Sequence, residues 1–226
     1  MLNTNSFQSS LMVLYKSLPQ LLKGAAVSIQ IAALSCIIGL TLGVVVGLTQ
    51  SGKGTFLKIL ATIYVTLFRG TPMLIQLLFA FFVLPEIGIS LPAFWIAVIT
   101  IGLNSGAYVS QIIRAGIKSV SKGQLEAAKV LGFSKIQITR YILLPQAIRT
   151  VIPALGNEFI ILIKDSSLAS IITVVELTKQ GERIISATLN ALPIYTGVAL
   201  LYLIMTSTLS FIVYKIEKRL NPNATN

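Results

Sequence analysis

Two carboxylates, Glu158 and Asp165, stand seven residues apart in a segment whose only other ionisable group is Lys164. At about 100° per residue, seven steps return to within roughly 20° on a helix, so both acids share one face. Asn157 and Lys164 share a second stripe about 100° around. A cavity bordered by such a helix would show acids to an ammonium or guanidinium group and Lys164 to a carboxylate. That is the charge pattern of an amino-acid zwitterion with a cationic side chain. The competing reading pairs the acids with Arg69 or with the partner subunit's Lys164, for assembly alone. Asp165, Ser166 and Ser167 also favour a helix end, where exposed backbone amides would hold a substrate carboxylate.

The other polar interruption is Arg69-Gly70-Thr71-Pro72. Gly70 permits close backbone approach, Pro72 frees a carbonyl, and broken helices at membrane depth commonly mark transport paths. Arg69 and Thr71 are therefore further candidate substrate contacts. A structural kink, with Arg69 reaching to lipid headgroups, accounts for the same residues.

Other chemistries lack their residues. The 226-residue chain has no His and a single cysteine, Cys36, inside an apolar run, so thiol–imidazole catalysis, a disulfide framework and a Cys/His metal site are excluded. Cys36 reads as an inert apolar residue. No Gly-x-x-x-x-Gly-Lys-Ser/Thr phosphate loop is present, so any ATP is handled by a partner.

The elements that must position these groups cross a membrane. Mean hydropathy is +0.84 and only 11% of residues are charged, against roughly 25% in a soluble domain. A net charge of +11 would suggest nucleic acid, but the basic residues sit between apolar runs, as loops of a membrane protein do. Gly24 to Gly52, Ile87 to Ile113 and Ile184 to Tyr214 carry no charge at all, and a spanning helix needs about 20 apolar residues. Spans are expected near residues 25–49, 93–114 and 192–214. Two more are expected over 58–84, kinked at Arg69 to Pro72, and over 151–175, whose ionisable groups require an interior or water-facing surface. The fold class is all-α membrane protein with five transmembrane helices.

With the amino terminus outside, Lys16, Lys23, Lys179 and Arg183 lie outside and Lys164 in the membrane; the other 13 of the 18 Lys and Arg (18 − 4 − 1) lie inside. The positive-inside bias selects this orientation, carboxyl terminus inside. Asn223-Ala224-Thr225 matches a glycosylation sequon but falls inside and reads as chance. Met1 to Gln20 is amphipathic, lacks the order of a secretory signal, and is expected to be retained. Glu176, Lys179, Glu182 and Arg183 are expected on a solvated external loop, where they could touch a soluble partner. Ser35, Gly39, Gly43 and Gly47, at four-residue spacing, form a small-residue ridge for close helix packing.

The longest connection, about Ala115 to Thr150, carries Glu126-Ala127-Ala128, three residues, Gly132, nine residues, then Ile142-Leu143-Leu144-Pro145. Glu126 to Leu131 favours helix, Gly132 can end it in the left-handed conformation, and a second amphipathic segment from Lys135 is expected to stop at Pro145. The pattern resembles, at every position, the EAA loop of ABC-importer permeases. Arg69 to Pro72, Gly156-Asn157-Glu158 and Lys164 to Leu168 look like the polar amino-acid uptake subfamily.

The resemblance implies the type I ABC-importer permease fold, with a cytoplasmic coupling helix between helices 3 and 4 and a transmembrane domain over 23–214, between an amino-terminal segment 1–22 and a cytoplasmic tail 215–226. It implies a bacterial inner-membrane subunit that is not an enzyme and binds no cofactor, ATP and Mg belonging to a cytoplasmic ATPase dimer. Glu126, Ala127, Ala128 and Gly132 would dock on that ATPase, while a soluble extracytoplasmic amino-acid-binding protein delivers substrate. A second permease copy, as homodimer or heterodimer, would complete the path. Cationic amino acids are the expected substrates; glutamine, glutamate or cystine fit the same subfamily. A proton- or sodium-coupled carrier is the alternative from Glu158 and Asp165, weakened by the lack of an inverted repeat. A non-transporting adaptor would lack a polar central path.

Overall fold

The computed structural model describes residues 4–52 and 54–220, with side chains from Met12 onward. Lys53, the Asn223-Ala224-Thr225 sequence and the ends of the terminal segments fall outside them. In chain order the helices are α1 (Thr4–Ser51), α2 (Thr55–Gly70), α3 (Met73–Phe82), α4 (Ala93–Ser119), α5 (Lys122–Val130), α6 (Lys135–Ile138), α7 (Leu144–Asp165), α8 (Leu177–Thr188) and α9 (Ala191–Leu220). Short 3-10 turns occupy Leu84–Ile87 and Ser166–Ile172, and a π-helical turn occupies Thr139–Leu143. No strand occurs among the described residues.

Four stretches are long and apolar enough to cross a membrane: Met12–Ser51, Ala93–Ser119, Lys135–Ile172 and Ala191–Leu220. The pair α2 and α3 passes the same test jointly across its break, which makes five. The helices overrun the apolar runs that forecast them. α1 passes residue 22 and α9 passes residue 214 without interruption.

The chain divides into two compact units. The first comprises Met1–Ser35, Met73–Ile101 and Ile161–Thr208. Its core joins Leu21 and Ala25 of α1, Leu177 and Ile184 of α8, and Ile194 and Val198 of α9. The amphipathic α8 supplies Leu177, Gly181 and Ile184 to the buried side. The segment read from sequence as a solvated loop is therefore a packed helix.

The second unit comprises Cys36–Pro72, Gly102–Ile160 and Leu209–Asn226. Here the small-residue ridge of α1 lies against α4. A Cβ added at Gly39 would come 2.8 Å from Ser105 Oγ, one at Gly43 would strike Val109, and one at Gly47 would come 2.8 Å from the Ser110 carbonyl. In lipid, apolar surface alone does not drive helices together, so this close backbone contact supplies much of the attraction. α2 turns Phe56, Leu57, Leu60 and Ile63 outward, the composition of a lipid-facing surface.

The connection between α4 and α7 departs from expectation at one end. α5 ends before Gly132, whose φ of 81° is left-handed, and the Phe133 amide donates back to the Ala128 carbonyl at 3.0 Å. Ser134 then caps α6 through a reciprocal box with Gln137. The second segment does not stop at Pro145, however. α6 runs through the π turn directly into α7, with Pro145 as the second residue of α7. The wider turn ends one residue short of the proline, which lacks the N–H an ordinary helical turn would use.

Candidate functional site

In the second unit, a groove of about 320 Å³ is lined by Tyr108, Gln111, Ile112, Ala115, Thr150, Ala154 and Glu158. The first four recur at three- and four-residue steps on α4, the last three at four-residue steps on α7, so two helical stripes form its walls. Glu158 is 8% exposed, and its Oε1 accepts a hydrogen bond from Ser105 Oγ at 2.7 Å.

The other polar groups of the groove are anchored from behind. The Arg69 guanidinium lies 5.1 Å from the centre of the Tyr108 ring, within cation–π range. Gln111 Nε2 donates to Gln50 Oε1 at 2.9 Å. The Thr150 and Ser119 hydroxyls stand 3.5 Å apart. The result is a polar lining, held in place, inside an apolar helix pair.

Arg69 and Thr71 mark the end of α2, where the last carbonyls have no helical donor. Thr71 Oγ1 donates to the Leu67 carbonyl at 2.8 Å, and Asn104 Nδ2 donates to that of Phe68 at 3.1 Å. The helix break thus lies where the sequence placed it, with Thr71 extended. Close approach at Gly70 is not its cause, because nothing lies within 4 Å of a Cβ built there.

The remaining candidates separate. Asn157 and Lys164 are exposed, and Asp165, the last residue of α7, is half-buried. Glu158 belongs to the second unit, Lys164 and Asp165 to the first. Ser166 is fully buried, and its hydroxyl donates to the Ile163 carbonyl at 2.7 Å. Ser167 does the same to Lys164 at 2.6 Å. These hydroxyls satisfy acceptors at the end of α7 and do not present donors outward. On the connection, Glu126 and Ala127 are exposed whereas Ala128 is buried.

Glu176 overturns an expectation. It is fully buried and caps α8, accepting from the backbone amides of Thr178 at 2.9 Å and Lys179 at 2.8 Å. Ser28 Oγ at 3.1 Å and Tyr202 OH at 2.8 Å complete the set. Burial pushes its carboxyl above the ordinary range, and these donors pull the other way. The partners come from α1, α8 and α9, a combination no local pattern announces. Lys179 and Glu182 do form a surface pair, at 2.8 Å.

Ser105, Tyr108, Gln111 and Thr150 had not been singled out from sequence. The one signal for Ser105, Tyr108 and Gln111 is the helical spacing of polar side chains within the uncharged run of α4, and for Thr150 its eight-residue step to Glu158 on α7. Among the described residues no cluster of potential metal ligands occurs.

Residues 39–225 match the family model of the binding-protein-dependent transport system inner membrane component. The chain belongs to this family. Among the relatives of this inner membrane component, the glutamine transport system permease protein of Escherichia coli (strain K12) is 39% identical over 209 residues, covering 92% of this chain and 95% of the relative. The arginine transport system permease protein of Bacillus subtilis (strain 168) is 38% identical over 207 residues, 91% of this chain and 94% of the relative. A crystal structure of an amino acid ABC transporter with histidines superposes with a TM-score of 0.89 at 37% identity, covering 92% of this chain and 97% of that one. The inward-facing MetNI methionine ABC transporter, with a TM-score of 0.74 at 21% identity over 90% and 97% of the two chains, shares the fold. The protein is thus a multi-pass inner-membrane permease subunit with the type I ABC-importer fold, a transport component and not an enzyme. Family membership implies a binding protein and a separate ATP-hydrolysing subunit as partners.

Proposed function

We propose that this permease imports polar amino acids, cationic ones such as arginine or histidine first among them. The observation that carries the reading is Glu158, a carboxylate buried in a spanning helix, bonded to Ser105 and lining an open groove. An ionisable group at that depth is costly unless it serves a path or a partner. An ammonium or guanidinium group entering the groove would take over from the Ser105 hydroxyl, forming a stronger, charge-assisted bond. Arg69, Thr71 and Asn157, in the same unit as Glu158, would receive the carboxylate end. Asp165, Lys164 and Ser166, in the other unit, are separate candidate contacts, Ser166 only if its hydroxyl leaves Ile163.

The relatives support the class: they are named for glutamine and arginine transport, and the superposing structure is described with histidines. Glutamine is the second reading, favoured by the glutamine permeases among those relatives and by the neutral donors Gln111 and Thr150 in the groove.

In this reading two permease copies form the path, with the amino terminus outside and the carboxyl terminus inside. Glu126 to Gly132 is the EAA loop. Exposed Glu126 and Ala127 meet the ATPase, Ala128 anchors α5 from below, and Gly132 sets its end. Closure of the ATPase dimer, which holds ATP and Mg, moves this knob and rocks the helices between outward and inward states.

The test is substrate-stimulated ATP hydrolysis by the reconstituted complex with its ATPase and binding protein, comparing wild type, Glu158→Gln and Asp165→Asn with arginine, histidine and glutamine. Stimulation by a cationic amino acid that is lost in the variants while assembly survives supports both class and site. Unchanged stimulation in both variants leaves the importer standing and assigns selectivity to the binding protein. Transport that proceeds without ATP overturns the reading in favour of an ion-coupled carrier.

A further inference from the structure

The first unit has a second polar cavity, unrelated to the groove at Glu158. It measures about 300 Å³ and lies between α1 and α8, lined by Lys16, Ser17, Gln20, Arg183, Ile184 and Thr188, among others. Ser17 and Ile184 are buried and form its floor, whereas Lys16 and Arg183 are exposed. Among the described residues neither cation has a carboxylate within ion-pair distance; the pair that does form on α8 is Lys179 with Glu182. Two cations beside a recess, joined by the amide of Gln20, suit a carboxylate: Arg183 offers a planar fork of donors and Lys16 a mobile ammonium.

We infer that this recess receives an acidic side chain of the soluble binding protein. The inference rests on the import reading and its outside amino terminus. Two sources of negative charge are available on that side, a protein carboxylate and a lipid phosphate, and position decides between them. The uncharged run of α1 begins at Gly24, after Lys23. α1 continues as one helix to Lys16, seven residues further out, or about 10 Å along its axis at 1.5 Å per residue. A headgroup layer extends only about 5–7 Å beyond the hydrocarbon. With α1 along the membrane normal and the hydrocarbon edge at Gly24, Lys16 stands beyond the lipid phosphates, where a soluble protein docks.

The test uses the full complex in nanodiscs, titrated with the binding protein that stimulates the wild type. The permeases compared are wild type, Lys16→Glu/Arg183→Glu and Lys23→Glu, the last a charge reversal away from the recess. Assembly is checked by co-purification with the ATPase subunit. The double variant is expected to need at least tenfold more binding protein for half-maximal stimulation and to lose most of the dependence on salt, whereas Lys23→Glu stays within twofold of wild type. Equal half-saturating concentrations in wild type and double variant overturn the recess as a docking site and leave the importer reading intact. Equal shifts in both variants also overturn it, in favour of diffuse steering. A difference confined to nanodiscs containing phosphatidylglycerol, and lost in phosphatidylcholine, overturns it in favour of a lipid site. Failure of wild type to respond to binding protein removes the import reading and this inference together.

Discussion

Glu176 and Glu158 are the same side chain, both buried in an all-helical membrane protein, with opposite consequences. Glu176 is sealed in the first unit, where two amides and two hydroxyls converge on its oxygens. Glu158, in the second unit, accepts from Ser105 and forms part of the wall of a groove. The first arrangement ties α8 to α1 and α9 and leaves no room for a ligand. The second keeps a polar group at the edge of an open space. A buried acid is thus structural or functional according to whether a cavity reaches it, and burial alone does not distinguish the two.

Removing each acid should break the comparison in different ways. Glu176→Ala has the largest expected effect: it strands donors from three helices and costs about 3 kcal/mol or more, read as a lower unfolding temperature of the purified protein and loss of assembly with every substrate. Glu176→Gln, which keeps acceptor oxygen, should recover much of that loss. Next comes Gly43→Leu, which drives a side chain into Val109 and should cost about 1–3 kcal/mol in the same assay.

Glu158→Gln should leave unfolding within about 1 kcal/mol of wild type, since the amide still accepts from Ser105. Its effect lies in selectivity: the ratio of half-saturating arginine to glutamine should rise about tenfold, some 1.4 kcal/mol. A large fall in stability with an unchanged ratio would make Glu158 a second Glu176. The smallest effect is expected for Lys179→Ala, which removes the half-exposed pair with Glu182 and should change stability by less than about 0.5 kcal/mol.

Several features could be read without the structure because their causes are local. Uncharged runs longer than a bilayer's thickness forecast three of the spans. Gly132 takes the left-handed conformation because a residue without a Cβ does so at little cost. The interruption at Thr71-Pro72 follows from a missing backbone donor. The short helix before Gly132 was legible from Glu126 to Leu131, whose residues favour helix.

Misreadings arose where the cause was remote. Pro145 looked like a stop, yet the π turn over Thr139–Leu143 carries the helix into α7. Glu176 looked solvated, although its burial depends on Ser28 and Tyr202, far away in the chain. Ser166 looked available but turns its hydroxyl to Ile163. The groove residues Tyr108, Gln111 and Thr150 were passed over, since polar groups spaced along an apolar helix become a wall only when a second helix faces them.

The sequence by itself determined that the chain is helical, spans a membrane and lacks thiol, imidazole and phosphate-loop chemistry, because composition and helical period act within one segment. Only the tertiary structure decided which acid is sealed and which lines a space, because a carboxylate's environment is set by donors and walls from helices far apart in the chain.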